Sequence, residues 1–320
     1  MERSLIVVFP GLPEVFAEQI RTAAESRGFR CRFFRNAAES LPYLEDAEVV
    51  LSSDPVLSRN APNLRWICST FAGADVFMAP DAFANPDALL SNSSGAYGLT
   101  ISEHVVMVLL ETLRRQPEYQ AHVRNREWVR RLPVRSIHGS RVTLLGTGNI
   151  GQEILRRLQG FGPARIVGVN RSGKNPGGVF SQVLKNSSLP QILPETDILI
   201  LSLPATPETT RLLSAPLLKL LPDDAVVVNV GRGSVIDQDA LEKELRSGRL
   251  FAALDVFEQE PVPPDSTLWT CPRLIITPHV SGDLSLPYTV EKVVTLFLED
   301  FENYCEGRPL LRLVDRQAGY

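Results

Sequence analysis

Short apolar runs, separated by stretches whose apolar residues recur at helical spacing, set the rhythm of this chain. Leu5–Phe9, Arg30–Phe34, Val49–Ser52 and Arg65–Ser69 have the length and character of buried strands, and Phe16–Ala24 carries a helical pattern between the first two. Strands alternating with helices predict a parallel α/β unit of roughly 100 residues. Two small-residue loops follow, Phe71–Asp75 and Ser91–Tyr97, neither with the composition of a core. From Leu99 to Asn125 the pattern is helical throughout (Ile101, Val105, Val108, Leu109, Leu113), and Thr100 with Glu103 has the spacing of a capping box. The stretch Arg114–Arg131 is charged and carries Tyr119 and Trp128; it suits a solvated arm or a subunit interface.

A second series then begins. Val142–Leu145, Ile166–Val169, Ile198–Leu201, Val226–Asn229, Ala252–Asp255 and Leu274–Thr277 read as strands. Helices fit between most of them, Asp237–Leu245 most clearly, and Ser172–Gly178 reads as loop. Leu284–Tyr304 is helical again (Val290, Val293, Val294, Phe297, Leu298, Phe301). If that last helix packs back on the first unit, the first unit is discontinuous.

Composition removes alternatives more than it adds any. At 320 residues the chain is comfortable for two domains, and 44% hydrophobic residues describe an ordinary globular protein. A formal charge of −4 offers no basic face for nucleic acid. No apolar run reaches membrane-spanning length and no signal-peptide pattern opens the chain, so a cytoplasmic location is expected. Cys31, Cys68, Cys271 and Cys305 form no C-x-x-C pair, and the four histidines show no ligand spacing. Reduced, buried thiols and no metal are the expectation.

The strongest chemical signal joins the strand Val142–Leu145 to the helix that follows. Gly146, Gly148 and Gly151 stand there at G-x-G-x-x-G spacing, before an amphipathic run (Ile150, Ile154, Leu155, Leu158, Phe161). The first glycine suits a tight turn, the second a close approach of backbone to pyrophosphate, and the third close packing of helix on strand. The helix N-terminus adds N–H groups and a positive dipole end. Three later strands end in chemistry-bearing residues: Arg232 between two glycines, Asp255 and Glu260, and His279 after Pro278. Ligands of an open parallel sheet lie beyond the carboxyl ends of its strands. Reduction of a 2-keto acid needs a cation for carboxylate and carbonyl oxygen, and an acid to protonate that oxygen. Arg232 offers the cation, His279 the proton, and a Glu260 carboxylate beside the histidine would favour its protonated form.

These segments resemble the motifs of the D-isomer-specific 2-hydroxyacid dehydrogenases. The resemblance lies in Gly146-Thr-Gly-Asn-Ile-Gly151, Val230-Gly-Arg-Gly-Ser-Val-Ile-Asp237, Leu254-Asp-Val-Phe-Glu-Gln-Glu-Pro261 and Thr277-Pro-His279. Ser69-Thr-Phe-Ala-Gly-Ala-Asp75, Asn92-Ser-Ser-Gly-Ala-Tyr97 and Ser102-Glu-His-Val105 match in place and order, so it covers nearly the whole chain. It implies an α/β fold of two doubly wound parallel-sheet domains with the active site in the cleft between them. The dinucleotide-binding (Rossmann) domain would be residues 100–284, and the flavodoxin-like substrate domain residues 1–99 with 285–320. It implies Arg232 as the substrate-binding arginine, His279 as general acid/base and Glu260 as its partner. The backbone N–H groups of Ala72 and Gly73 would hold the substrate carboxylate, with Tyr97 nearby. Asn149 and Ile150 would meet the pyrophosphate; Ser202, Leu203, Pro204, Val230 and Gly231 would line the cofactor. Asp255 would meet the nicotinamide amide, and Ser281 and Gly282 complete the cofactor set. A homodimer built through the long helix is also implied.

One departure from the family pattern bears on the cofactor. The strand ending at Val169 runs into Asn170, Arg171, Ser172 and Lys174, with no carboxylate for a ribose 2′-OH. Arginine and hydroxyl suit a 2′-phosphate, so NADP is expected to be preferred, with NAD possible. The expected substrate is a small 2-keto acid such as glyoxylate, hydroxypyruvate or a bulkier relative. Phe71, Tyr97 and Leu286, with Trp269 or Trp128, are the candidates for its side-chain pocket. The alternative is a dinucleotide-sensing corepressor of the same fold, against which stand the short chain and the lack of disordered tails.

Overall fold

A computed structural model describes residues 3–319 of the chain. They divide into two compact units, one of residues up to Tyr97 with those from Leu284 on, the other Gly98–Asp283.

The first unit opens with β1 (Arg3–Val8), α1 (Glu14–Ser26), β2 (Phe29–Phe34), β3 (Val49–Leu51), β4 (Trp66–Cys68) and β5 (Leu89–Ser91). The strands pair in parallel in the order β2-β1-β3-β4-β5, the doubly wound arrangement in which connections must cross the sheet. Val49–Leu51 and Trp66–Cys68 are buried at every position, as both faces of such a sheet are covered. β5 escaped the sequence pattern because Leu89 is exposed and Ser91 already belongs to the polar loop that follows, leaving no wholly apolar run.

The second unit begins with α2 (Gly98–Leu113) and α3 (Gln116–Arg124). The expected single helix from Leu99 to Asn125 is therefore two. Arg115 between them is left-handed (φ 58°, ψ 35°), and Pro117 has no N–H to donate to the preceding turn. α2 also starts before Thr100, which sits inside its first turn, so the capping-box spacing does not mark a cap. Next come β6 (Arg141–Leu145), α4 (Asn149–Gln159), β7 (Arg165–Asn170), β8 (Val183–Lys185), β9 (Ile198–Leu201) and β10 (Val226–Asn229). α5 (Gln238–Arg246), β11 (Phe251–Leu254) and β12 (Leu274–Ile276) complete the unit. All seven strands are parallel, in the order β12-β11-β10-β9-β6-β7-β8. The order reverses at β6, the strand that carries the glycine turn, which is where such sheets open a crevice for ligands. β8 was not foreseen: Val183-Leu-Lys185 is an edge strand with only two apolar residues and no buried position.

α6 (Pro287–Cys305) returns to the first unit. Phe297 stacks on the buried Trp66 with ring centres 5.5 Å apart, and Phe301 lies against the same indole and Phe29. The four cysteines are unpaired; Cys68 and Cys271 are buried, whereas Cys31 and Cys305 are only partly so. Among the described residues no helix is long and apolar enough to cross a membrane, and no group of three His, Cys, Asp or Glu is placed to hold a metal.

Candidate active site

The glycine turn has a distinct geometric reason at each position. Gly146 is at φ 108°, a conformation L side chains rarely adopt, and an added Cβ would lie 2.6 Å from the Ser202 hydroxyl. At Gly151 a Cβ would fall 2.1 Å from the Gly146 carbonyl oxygen, so helix α4 can sit this close to the turn only without a side chain. Gly148 is different. Nothing lies within 4 Å of where its Cβ would be, and its backbone (φ −72°, ψ −164°) suits any residue. The protein itself does not require glycine there; an open backbone face at the N-terminus of an 11-residue helix fits the pyrophosphate of a dinucleotide. Asn149 and Ile150 open that helix, with Asn149 exposed.

The end of β7 forms a self-contained loop. Asn170 donates to the Thr147 hydroxyl (2.6 Å) and the Lys174 carbonyl (2.7 Å), and accepts from the Gly173 amide (2.6 Å). The Asn170 side chain is thus a brace for Arg171, Ser172 and Lys174, which are exposed. Arg171 also contributes to holding the Glu208 carboxyl below its ordinary range, behind the Glu208 backbone and Thr206 hydrogen bonds. Glu208 lies in the loop after β9, whose Pro204 carbonyl is fixed by the Thr209 hydroxyl (2.7 Å).

The catalytic candidates stand at the carboxyl ends of β10, β11 and β12, three neighbouring strands. After β10 the backbone is wedged between two others. A Cβ on Gly231 would lie 2.6 Å from the Leu203 carbonyl oxygen, and one on Gly233 would lie 1.9 Å from the Phe257 carbonyl carbon. Only glycine on both sides of Arg232 permits this approach, and it leaves the arginine little backbone freedom. Asn229 closes the turn, accepting from the Gly231 amide (3.1 Å) and donating to the Arg232 carbonyl (2.9 Å). The Arg232 guanidinium donates to the Gly231 carbonyl (2.7 Å).

Glu260 and His279 meet directly. One Glu260 oxygen accepts from the Phe257 amide (2.8 Å), and the other is 2.6 Å from His279 Nδ1. An ionised carboxylate only accepts, so Nδ1 carries the hydrogen and Nε2 is left for chemistry. The His279 side chain is half exposed, and its backbone is left-handed (φ 55°). Its amide donates to the Asp255 carbonyl (2.9 Å) and the Thr277 carbonyl (3.1 Å), which hold this uncommon conformation.

Asp255 is the anchor beneath that loop. Its carboxylate, 1% exposed, accepts from the Thr277 hydroxyl (2.6 Å), the Val280 amide (3.0 Å) and the Ser281 amide (3.0 Å). Burial pushes its pKa up, but hydrogen bonds from Ser281, Thr277 and the Ser281 and Val280 amides outweigh this and hold it below the ordinary 3.8. The sequence reading did not single out His104, whose Nε2 is 3.2 Å from the Thr277 hydroxyl. That hydroxyl spends its hydrogen on Asp255, so His104 is the donor. Burial lowers the His104 pKa from its ordinary 6.5 against the pull of Asp255 and Glu111.

In the first unit, the loop after β4 carries Ala72 and Gly73, both partly exposed. The Tyr97 hydroxyl donates to the Thr70 carbonyl (2.6 Å), so its polar end is committed to the loop backbone. Phe71 is exposed and its ring lies 6.2 Å from that of Tyr97.

Residues 106–281, more than half of the chain, match the D-isomer specific 2-hydroxyacid dehydrogenase, NAD binding domain. The chain belongs to the D-isomer specific 2-hydroxyacid dehydrogenase family. It is 32% identical over 273 residues to glyoxylate/hydroxypyruvate reductase A of Salmonella newport, covering 83% of this chain and 85% of that protein. The crystal structure of a D-isomer specific 2-hydroxyacid dehydrogenase family protein from Aeromonas salmonicida superposes with a TM-score of 0.86 at 33% identity, over 99% of this chain and all of that one. That of an NADPH-dependent glyoxylate/hydroxypyruvate reductase from Sinorhizobium meliloti, in complex with NADP and sulfate, gives 0.83 at 28%, over 99% and 100% of the two chains.

Proposed function

We propose that this protein is an NADPH-preferring reductase that converts a small 2-keto acid of the glyoxylate/hydroxypyruvate type to the D-2-hydroxy acid. The observation that carries this reading is the Glu260–His279 pair, 2.6 Å apart, beside the strand end that presents Arg232. The relatives that reduce glyoxylate and hydroxypyruvate support the substrate class, and the bound NADP of one supports the cofactor.

When bound, the nicotinamide supplies the hydride. Arg232 would pair with the substrate carboxylate and draw electron density toward the carbonyl oxygen. The Ala72 and Gly73 amides would take further carboxylate hydrogen bonds. His279 Nε2 would deliver the proton to that oxygen as the carbon is reduced, while Glu260 balances the imidazolium charge and fixes the ring. The braced loop Asn170–Lys174 offers Arg171 and Ser172 to a 2′-phosphate, and no carboxylate ends β7 to repel it. A homodimer is part of the reading: Trp128, 91% exposed, and Val123 present apolar surface just beyond and on α3. Equilibrium sedimentation tests that point.

The decisive experiment follows NADPH absorbance with a panel of 2-keto acids, then repeats the best with NADH. Turnover with glyoxylate or hydroxypyruvate and a higher kcat/KM with NADPH is expected. No reduction of any 2-keto acid would defeat the functional reading, and a clear NADH preference its cofactor half.

A further inference from the structure

The loop after β4 has its carbonyl groups tied down one after another. The Ser69 carbonyl accepts from the Ser93 hydroxyl (2.8 Å), and that of Thr70 from the Tyr97 hydroxyl (2.6 Å). The Phe71 carbonyl accepts from the Ser93 amide (3.1 Å), and that of Ala72 from the Asn92 side-chain amide (2.8 Å). In a trans peptide C=O and N–H point opposite ways. Fixing the carbonyls of Phe71 and Ala72 therefore aims the amides of Ala72 and Gly73 away from the Asn92–Ser93 segment, side by side. Among the described residues no acceptor meets either amide. Two adjacent N–H groups facing outward make a concavity for one carboxylate.

Asn92 itself has little freedom. It is 9% exposed, and its Oδ1 accepts from the Ser94 amide (3.1 Å). Its backbone amide donates to the Arg312 carbonyl (3.3 Å), in a C-terminal segment that bridges antiparallel to β5 through Ser91 and Leu313. The Val314 amide continues that pairing to the Leu90 carbonyl (2.8 Å). The segment is clipped in turn to α6. Buried Asp300 accepts from the Leu311 amide (2.6 Å) and faces the Arg312 guanidinium at 3.1 Å; Arg312 also pairs with Glu299 and donates to the Leu296 carbonyl (3.2 Å).

We propose that Asn92 is a positioning residue that orients the Ala72 and Gly73 amides toward the substrate carboxylate, with the segment Leu311–Val314 as its backstop. This rests on the 2-keto acid reading above. The competing role is a plain turn former, for which only the Oδ1 acceptor toward Ser94 matters. Asn92→Asp separates the two, because it keeps that acceptor and removes the donor to the Ala72 carbonyl.

The test uses the full-length protein with NADPH bound and three variants, Asn92→Asp, Asn92→Ala and Arg312→Ala. Amide hydrogen exchange over residues 69–75, KM for glyoxylate and the NADPH Kd are the readouts. Asn92→Asp and Asn92→Ala should each speed exchange in that segment several-fold and raise KM by about tenfold, with kcat and the NADPH Kd within about twofold. Arg312→Ala, which leaves Asn92 in place but loosens its backstop, should move exchange and KM in the same direction by less. Wild-type exchange and KM in Asn92→Asp would reduce Asn92 to a turn former and overturn the proposal. If the Asn92 variants fail to fold, unchanged exchange and KM in Arg312→Ala would overturn it as well. A wild-type protein that reduces no 2-keto acid would defeat the functional reading; exchange over 69–75 would still decide whether Asn92 sets the loop.

Discussion

Gly148→Ala isolates dinucleotide binding from folding. The added methyl meets no atom within 4 Å, and φ −72° with ψ −164° is a conformation alanine adopts without strain. The fold should lose no more than the preference for glycine over alanine at a helix N-cap, at most about 1 kcal/mol. A phosphate oxygen bonded to a backbone amide sits about 2.9 Å from nitrogen, whereas a methyl carbon holds it off at about 3.5 Å or more. The pyrophosphate must therefore retreat and give up at least one charged hydrogen bond, worth about 1.5–3 kcal/mol. That converts to a rise of roughly 10- to 150-fold in the NADPH Kd. Gly151→Ala is the contrast, because its Cβ would lie 2.1 Å from the Gly146 carbonyl oxygen and the backbone must move. It should destabilise by about 1–3 kcal/mol and lower the Tm by several degrees. Fluorescence titration with NADPH and thermal denaturation of both variants supply the readings. A Gly148→Ala protein binding NADPH within twofold of wild type would refute close backbone approach at this position.

Other consequences are equally direct. His279→Ala should lower kcat by about 10²–10⁴-fold with KM little changed, since a proton donor acts in the transition state; Arg232→Ala should lower kcat/KM through both constants, and keto acid reduction at the wild-type rate by either variant would remove that residue from the mechanism. Arg171→Ala should weaken NADPH while sparing NADH, by roughly tenfold in the kcat/KM ratio for one lost charged hydrogen bond; an unchanged ratio would leave Arg171 a surface residue. Folding keeps His104 uncharged below its ordinary 6.5, so as pH falls the unfolded chain takes up this proton first. The stabilisation is complete above the unfolded value and is lost as pH falls through the folded one, at up to about 1.4 kcal/mol per pH unit. His104→Gln should flatten that slope in urea unfolding measured from about pH 7 to 5, and an unaltered slope would mean the imidazole charges freely in the fold.

What could be read from the chain alone, and what could not, divides along the range of the interactions. Buried parallel strands such as Val226–Asn229 and Ile198–Leu201 announce themselves because both faces are covered and every position is apolar. The glycine turn and the Arg232, Glu260 and His279 segments are legible because each is a local pattern at a strand end, where this architecture brings ligands. β5 and β8 were hidden because Leu89-Leu-Ser91 and Val183-Leu-Lys185 each hold only two apolar residues beside polar ones, unlike the equally short but wholly apolar Val49–Leu51, and the break at Arg115 because helical spacing alone ignores Pro117. More telling are the residues whose roles depend on partners far along the chain. His104 lies 173 positions from the Thr277 hydroxyl it meets, and Asn92 lies 20 from the Ala72 carbonyl it holds. Gly233 looks like loop punctuation until the Phe257 carbonyl is found pressed against it. In each case the visible motif places a group at the candidate site, and the long-range partner fixes its direction. In the proposed reaction Arg232, His279 and the Ala72–Gly73 amides act only as aimed groups, so variants of Asn92, Asp255 or Gly233 should impair keto acid reduction with every proposed reacting group still in place.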